Sequence, residues 1–517
     1  MGSSVRRSTL FLLSLLCWLG GPCCVFSESL DAAIHSEPSL RTTNNNYNLV
    51  ASRNSSDHAF AVFGYLPEWR FAGSHFGVQV RHYTHLIFFS LEIDPNTGRI
   101  AAADRLTQLQ SALYYAKEAR SIQDSQAINP PGDAGQKTRT QFLVCFGGNG
   151  RSAGFSAMVR DKKKRKRFVK ELTTKLIFDV DNAFGGGFDG VDYNWEYPGY
   201  DFRRGYLPDA EVRKDYEGLG RLLKDTRKMF DKKTKAEDFE SSRSRRVLPD
   251  NVVSTDATKD STSSSTARDQ ARKDDSTTST TSERQARKTI SLAYYPDGKQ
   301  EQLFAAHKMI LQYTDYFHSM AYDQHGRQHS PFSLAEKTIE YAEKYLGPEV
   351  LPKVTLGLPF YGRRENTGEW MSYEDILTKQ WEKQKGKGIT AKGDVQKSQK
   401  KLVEKTRALD TLEEDKVVYG YNGPRMIERK VKLAWEKGLG GVMVWEAGQD
   451  CRAELLEKKS GAKIEKHVAT CDHLSSTEKS EAAFSLSYAI TKELGNLGMT
   501  NDTKRGDIDD GRTHEEL

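Results

Sequence analysis

The segment from Phe188 to Pro198, FDGVDYNWEYP, combines three carboxylates and an amide with large apolar side chains. Read as a β-strand, it places Asp192, Asn194 and Glu196 on one face, because alternate side chains of a strand point the same way. Buried carboxylates destabilise a fold unless they are paired or hydrogen-bonded, so their presence in an apolar strand needs a reason. Acid–base catalysis by a carboxyl group is one such reason.

Eight short apolar runs alternate with amphipathic, charged segments along most of the chain. The runs begin at Phe60, His85, Gln141, Gly186, Thr289, Tyr316, Lys353 and Gly438. This alternation predicts an α/β fold, a closed parallel (β/α)8 TIM barrel over residues 58–452. An open doubly wound sheet is the alternative, but no glycine-rich phosphate-binding pattern follows the first strand. In such a barrel, catalytic side chains lie where the strands end, as Glu196 does.

Charge and composition limit the classes of function. The 517-residue chain has 77 basic and 71 acidic side chains and a formal net charge of +6, so no nucleic-acid partner is required. We expect no cofactor, and no metal, because the 12 histidines show no pairing at metal-ligand spacing. Residues 240–287, between strands 4 and 5, have almost no apolar side chains, which predicts a disordered insertion. A small insertion is predicted between strands 7 and 8.

The two ends of the chain indicate a secretory protein. Residues 1–27 carry two arginines before a short apolar run, which is typical of a signal peptide, an uncleaved anchor being the alternative. After cleavage no membrane span would remain, because no later stretch has about 18 consecutive apolar residues. The C-terminal His-Glu-Glu-Leu resembles the retrieval signal His-Asp-Glu-Leu. This predicts a retrieval receptor as partner and the lumen of the endoplasmic reticulum as location, with secretion as the alternative.

Three further predictions concern the leader, the tail and the cysteines. Residues 28–57 form a polar, flexible leader, and residues 453–517 form a polar tail. Signal cleavage would leave three cysteines, of which Cys451 and Cys471 are the better pair for an oxidising compartment, while Cys145 lies in an apolar strand. Asn54 and Asn501 begin glycosylation sequons.

Five motifs, in order along the chain, resemble those of glycoside hydrolase family 18, the chitinases. FDGVDYNWEYP is similar to the family's signature Asp-Gly-x-Asp-x-Asp-x-Glu. The others are FGGNG from Phe146, MAYD from Met320, LGLPFYGR from Leu356 and GGVMVWEAGQD from Gly440. The resemblance implies a barrel that cleaves β-1,4 bonds next to N-acetylglucosamine, with chitin or chito-oligosaccharides as partners.

The resemblance also implies a role for each candidate residue. Glu196 would be the general acid and later the base, while the substrate's own 2-acetamido group acts as nucleophile. Asp192, Asn194 and Tyr322 would orient that group, and Trp445 would form an apolar floor under the sugar ring. The remaining candidates for substrate binding are Asp323, Met320, Arg363, Tyr65 and Trp69.

Asn194 departs from the family pattern, which has aspartate at this position. An amide keeps a carbonyl that can accept a hydrogen bond from the acetamide N–H, but it has no charge with which to stabilise an oxazolinium. Loss of one such stabilising group typically lowers a rate by ~10²–10³. Other acetamide-assisted glycosidases resemble this arrangement of asparagine beside the acid. We therefore expect slower catalysis rather than none.

Three functions are compatible with the sequence. The main reading is a chitinase-like hydrolase that retains the anomeric configuration. A non-catalytic, chitin-binding lectin on the same barrel is the second, although lectin relatives commonly lose the acid and Glu196 is present. The third is an endo-β-N-acetylglucosaminidase acting on N-glycans, which the retrieval signal would suit. The sequence does not distinguish endo from exo action.

Overall fold

Eight parallel strands form a closed barrel at the centre of the molecule. The computed structural model describes residues 60–70, 82–101, 105, 140–178, 187–245, 287–385, 404–451 and 484–498. The barrel strands are β1 (Ala61–Pro67), β2 (His85–Ile93), β3 (Gln141–Gly147), β4 (Gly190–Asn194), β5 (Thr289–Tyr294), β6 (Tyr316–Ser319), β7 (Val354–Pro359) and β8 (Gly441–Trp445). Each strand pairs with the next, and β8 pairs with β1. The predicted (β/α)8 TIM barrel is confirmed.

The barrel strands are apolar on both faces because both faces are buried. In β1, Phe63 and Tyr65 belong to the cluster that fills the barrel, while Val62 and Leu66 pack against the outer helices. The same alternation in β4 turns Tyr193 outward and leaves Asp192 and Asn194 facing the interior. The carboxylate and the amide therefore lie inside the barrel.

The helices cover the outside of the barrel. They are Phe155–Arg160, Lys162–Leu172, Asp209–Arg245, Lys299–Ala306, Lys308–Tyr313, Phe332–Tyr341, Tyr373–Lys385, Pro424–Glu436 and Leu486–Asn496. Short 3-10 turns follow β1 at Glu68–Arg70 and β8 at Ala447–Gln449. Within the described part of the chain, no helix is both long enough and apolar enough to cross a membrane.

A small antiparallel sheet confirms the predicted insertion between β7 and β8. Its strands are Tyr361–Arg364, Trp370–Ser372, Thr411–Glu414 and Val417–Gly420. The first of these strands follows β7 after a single residue, so the sheet begins directly at the C-terminal end of the barrel. A second, shorter hairpin, Tyr200–Asp201 with Gly205–Tyr206, follows β4.

The helix after this hairpin continues beyond the start of the predicted insertion at residue 240. It spans Asp209–Arg245, and Phe230 is the last of its described side chains that is buried in the core. Arg227 donates a hydrogen bond to the carbonyl of Lys288 at 2.7 Å, which places this part of the helix beside the start of β5. The helix then extends about 22 Å past Phe230, at ~1.5 Å per residue. Residues 246–286, the rest of the predicted insertion, lie outside the described residues.

The predicted polar tail is wrong for one helix, Leu486–Asn496. Its apolar side chains pack against the outside of the barrel, where they join the outer hydrophobic cluster: Leu486, Ala489, Ile490 and Leu494. The Asp450 carboxylate accepts hydrogen bonds from the backbone N–H groups of Leu486 and Ser487, both at 2.9 Å. Because the first turn of a helix leaves such N–H groups unpaired, Asp450 fixes this helix beside the end of β8. The barrel domain therefore extends beyond residue 452.

Most predictions about the chain ends fall outside the described residues. These are the signal peptide, the leader, the sequons at Asn54 and Asn501, the retrieval tetrapeptide and Cys471. Cys451 is disulfide-bonded. Cys145 is a free thiol buried in β3, as predicted.

We expect the exposed end of the long helix and the tract after it to be dispensable for folding. Replacing residues 233–284 with a Gly/Ser linker of about ten residues should change the thermal midpoint by less than about 2 °C, because long polar loops add little stability. The linker begins where the helix still lies near β5, so the chain can return to the barrel. Circular dichroism measures the midpoint. As a control, a replacement that starts after Thr226 also removes Phe230 and the Arg227 contacts, and it should lower the thermal midpoint clearly. A large drop in the first variant would contradict the prediction.

Candidate active site

A cavity of about 950 Å³ lies at the C-terminal ends of the barrel strands. Of the ten predicted site residues, Asp192 alone does not line the cavity. The nine that do are Tyr65, Trp69, Asn194, Glu196, Met320, Tyr322, Asp323, Arg363 and Trp445. A volume of this size is in the range of ligand-binding pockets. The structure thus brings together residues that are separated by up to about 380 positions in the sequence.

Asp192 lies below the cavity, in the interior of the barrel, and has no solvent exposure. Tyr65 donates a hydrogen bond from its hydroxyl to Asp192 Oδ2 at 2.8 Å, and Ser291 donates one to Oδ1 at 2.7 Å. Burial raises the pKa of Asp192, while these hydrogen bonds oppose the rise. The two donors come from β1 and β5, and they supply the partners that a buried carboxyl group requires.

Asn194 ends β4, one inward position above Asp192, and is 3% exposed. Its backbone carbonyl accepts a hydrogen bond from Gly148 N–H at 2.6 Å, which fixes the end of the strand. Its side-chain oxygen Oδ1 is buried and has no hydrogen-bond partner among the described residues. An unpaired buried carbonyl is unfavourable, so a ligand N–H at this position would gain a hydrogen bond at little cost.

Glu196 lies in the cavity wall, two residues after the end of β4. Its backbone N–H donates to Ser152 Oγ at 3.1 Å. Burial raises the pKa of Glu196 to about 7, and the nearby charge of Asp323 adds to the rise. Hydrogen bonds from the Asn194 side chain and the Asn149 backbone oppose it. Near neutral pH the carboxyl group therefore keeps its proton for a substantial part of the time.

Asp323 has the opposite tendency. Arg363 donates two hydrogen bonds to its carboxylate, at 2.8 and 2.7 Å, and the Tyr361 hydroxyl donates a third at 2.6 Å. Burial alone would raise the pKa of Asp323, but its contacts with His329 and Arg363 outweigh burial and lower the pKa below its ordinary value. Asp323 is thus a fixed negative charge in the cavity beside a carboxyl group that holds a proton.

Aromatic side chains form much of the remaining wall. The Trp445 ring lies 4.9 Å from Phe89 and 5.5 Å from Tyr65, measured between ring centroids. Trp69 and Trp370 are 52% and 54% exposed, so each presents accessible ring surface at the cavity. Flat aromatic faces with a few polar groups between them are the usual lining of a small-molecule site.

Met320 and Tyr322 line the same wall from the segment after β6. The Tyr322 hydroxyl donates to the sulfur of Met443 at 3.8 Å. Because a thioether is a weak acceptor, a ligand carbonyl could replace it readily. Among the described residues, no group of three or more histidine, cysteine, aspartate or glutamate side chains could hold a metal ion.

Tyr65 and Arg363 were among the predicted site residues, but the sequence did not pair them with Asp192 and Asp323. Two further partners, Ser291 and Tyr361, were not identified. Ser291 shares the inward positions of the apolar run TISLAYYP with two other hydroxyl-bearing residues, Thr289 and Tyr295, so the pattern alone did not single it out. Tyr361 lies within LGLPFYGR, next to the arginine that was identified. Trp370 gave no local signal, because its position at the cavity depends on how the inserted sheet folds.

The comparison with known families follows this geometry. The model for Glycosyl hydrolases family 18 matches residues 61–248 and 268–450, and the chain belongs to this family of glycosidases. It is 26% identical over 341 residues to Probable chitinase 2 of Drosophila melanogaster, covering 60% of this chain and 55% of that protein. It is 27% identical over 175 residues to Sporulation-specific chitinase 2 of Saccharomyces cerevisiae, covering 29% of this chain and 33% of that protein. The chain spans about half of the length of the Drosophila protein and about a third of that of the Saccharomyces protein.

Among solved structures, the Class V Chitinase from Nicotiana tobaccum is similar at 15% identity and a TM-score of 0.48, covering 85% of this chain and 99% of that one.

The raised pKa of Glu196 leads to a prediction about stability. The ordinary pKa is 4.5 and the folded value about 7, so as pH rises between them the unfolded chain loses this proton before the folded protein does. Folding stability therefore falls over this range, by at most about 3 kcal/mol. Glu196→Gln removes this effect and should stabilise the protein at pH 8 but not at pH 4. Urea unfolding at the two pH values measures it.

The matched control is Glu340→Gln, at an exposed position on helix Phe332–Tyr341. We expect this change to leave stability nearly unaltered at both pH values. A Glu196→Gln effect of equal size at pH 4 and pH 8 would show that the substitution acts through packing and not through the proton.

Proposed function

We propose that the protein hydrolyses β-1,4 bonds next to N-acetylglucosamine, in chitin or chito-oligosaccharides, by a substrate-assisted mechanism that retains the anomeric configuration. The observation that carries the proposal is Glu196, a carboxyl group in the cavity wall whose pKa is raised to about 7 beside the fixed charge of Asp323. A general acid acts best when its pKa is near the working pH. Membership of a glycosidase family supports the same reading.

In the first step a sugar ring lies against Trp445, with the glycosidic oxygen next to Glu196. Glu196 donates its proton to that oxygen as the bond to C1 breaks, and the acetamide carbonyl oxygen of the same sugar forms a new bond to C1. The product is a cyclic oxazolinium ion and a sugar alcohol as leaving group. In the second step the Glu196 carboxylate takes a proton from a water molecule as the water oxygen attacks C1. The bond between C1 and the acetamide oxygen breaks, which opens the oxazolinium ring and restores the acetamide.

Three residues would orient the acetamide. Asn194 Oδ1 accepts its N–H, since this oxygen is buried and has no partner among the described residues. Tyr322 donates its hydroxyl to the acetamide carbonyl in exchange for the weak bond to Met443. Asp192, held below Asn194 by Tyr65 and Ser291, supplies negative potential without contacting the substrate.

The proposed substrate-binding wall has four further members: Arg363, Met320, Tyr65 and Trp69. Arg363 holds Asp323 in its charged state, and this charge adds to the effect of burial in raising the pKa of Glu196. The half-exposed ring of Trp69 would contact another sugar unit of the same oligosaccharide. A lectin would not require a carboxyl group with a raised pKa, and this observation favours hydrolysis over binding alone.

A second substrate is the chitobiose core of N-linked glycans, on which the protein would act as an endo-β-N-acetylglucosaminidase. Asn194 beside the acid supports this candidate, as does the proposed location in the lumen of the endoplasmic reticulum. That location rests on the signal-like start of the chain and on its His-Glu-Glu-Leu end, which a retrieval receptor would bind. Product analysis with chitotetraose and with an Asn-linked glycan separates the two substrates.

We expect Glu196→Gln to abolish hydrolysis while leaving sugar binding largely intact, because the amide keeps the shape of the side chain but has no acidic proton. Chromatography of the products and calorimetry with chitotetraose measure the two properties. Glu340→Gln, away from the cavity, is the control and should hydrolyse at the wild-type rate. In the wild type the rate should fall as pH rises above about 7, where Glu196 loses its proton. Unchanged turnover in Glu196→Gln would assign the acid to another residue.

Asn194→Asp should raise the rate constant, by about tenfold or more, because it restores a negative charge facing the oxazolinium. The new carboxylate would also repel ionised Glu196 and shift the fall in rate to higher pH. The measurement is the rate on a soluble chito-oligosaccharide across pH, for both proteins. Lower activity at every pH would mean that the site is adapted to asparagine and that an added buried charge lacks a partner.

A further inference from the structure

Lys430 is completely buried in the middle of helix Pro424–Glu436, outside the barrel. Its ammonium group donates three hydrogen bonds, each of 2.7 Å, to the Ser330 carbonyl, the Ser330 hydroxyl and Asn422 Oδ1. None of these acceptors is charged, so the ammonium is stabilised by hydrogen bonding alone. A buried ammonium without a carboxylate partner is unfavourable, and burial lowers the pKa of Lys430 to about 7.

The hydrogen bonds of Lys430 lead toward the cavity. Ser330 donates its hydroxyl to the carbonyl of Ala321 at 2.7 Å, and Ala321 lies between Met320 and Tyr322 in the cavity wall. Asn422 donates its amide to the Ser330 carbonyl at 3.0 Å, which closes a network around the ammonium. A continuous chain of hydrogen bonds thus connects the outer helix with the backbone that carries Tyr322.

The segment from Ala321 to Ser330, which we call the β6 loop, has other contacts as well, among them the hydrogen bonds from Arg363 and Tyr361 to Asp323 described above. Gln328 donates its amide to the carbonyls of Asp410 and Tyr421 at 2.9 and 2.8 Å. Within the loop, His329 Nδ1 accepts a hydrogen bond from the Asp323 backbone N–H at 3.3 Å. Asp323 itself has a φ of 66°, a conformation that a non-glycine residue adopts only when its surroundings fix it.

We infer that Lys430 is a positioning residue: its three hydrogen bonds fix the β6 loop so that Tyr322 and Asp323 keep their places opposite Glu196. Only a charged lysine has three N–H donors, whereas a neutral amine has two and an apolar side chain none. Loss of the ammonium would leave the Ser330 carbonyl and Asn422 Oδ1 with fewer partners and release the end of the loop. This inference rests on the proposed function for its effect on catalysis, but its effect on the loop does not.

The experiment compares Lys430→Met with Lys432→Met, an exposed lysine on the same helix whose ion pair with Glu436 is 3.8 Å long. Lys430→Met should lower kcat on chitotetraose about tenfold or more, with a smaller change in KM. The reason is that displacement of Tyr322 and Asp323 impairs the chemical step more than it impairs substrate binding. Asp323, Asn194 and the Asn149 backbone act on the pKa of Glu196, and the titratable groups Tyr322, Tyr197 and Cys145 also lie within electrostatic reach of it. With Asp323 displaced, the fall in rate near pH 7 should move to lower pH, since its charge raises the Glu196 pKa.

Ser330→Ala provides a second test that leaves Lys430 in place. It removes the hydroxyl that joins the ammonium to Ala321, and it should shift the pH profile in the same direction. The double variant should be no worse than the more impaired single variant, because both changes break one chain. Lys430→Arg keeps the charge and donors and should recover part of the rate. Normal kcat and an unshifted pH profile in folded Lys430→Met and Ser330→Ala proteins would overturn the inference.

Hydrogen exchange separates this inference from the proposed function. In Lys430→Met, peptides covering residues 320–331 should exchange faster than in the wild type and in Lys432→Met, with or without substrate. If the wild type hydrolyses none of the substrates tested while this difference is present, the proposed function fails and the positioning role stands. Equal exchange in all three proteins would overturn the positioning role, whatever the activity.

Discussion

The removal of carboxyl groups from water is the physical constraint on which this site depends. Three of the carboxyl groups in or below the cavity belong to the proposed chemistry, and each is compensated differently. Asp192 has hydroxyl donors from two strands, Asp323 has a guanidinium and a phenol, and Glu196 has no cationic partner among its described contacts. The partners of each carboxyl group determine its pKa. The cavity therefore holds one charged carboxylate, Asp323, beside one carboxyl group that can carry a proton, Glu196.

These compensating partners come from elements that are far apart in the chain. Tyr361 and Arg363 lie on the first strand of the inserted sheet, so this insertion is part of the site and not an appendage. Trp370, on the neighbouring strand, extends the cavity wall. Asp450 caps helix Leu486–Asn496 five residues after Trp445, which ties the last barrel strand to a helix that the composition had assigned to a tail.

The sequence predicted what depends on local pattern. The eight strands were visible as apolar runs, and the inward row Asp192–Asn194–Glu196 followed from the two-residue period of a strand. The sequence could not supply the partners of that row, because Tyr65 and Ser291 reach Asp192 across about 130 and 100 positions and only the closed barrel brings them together. Helix Leu486–Asn496 was missed for a similar reason: it is a short amphipathic segment within a polar stretch, and its stability comes from the groove it fills.

The long helix Asp209–Arg245 carries the inserted tract that follows it away from the cavity. It passes the start of β5 at Arg227, at the end of the barrel away from the cavity, and continues beyond that point to Arg245. A fluorescent protein or an epitope inserted after the end of this helix would therefore stand far from the cavity, and both chain termini would keep their natural sequences. Such a reporter would allow the protein to be followed in living cells while any sorting signal at either end remains readable.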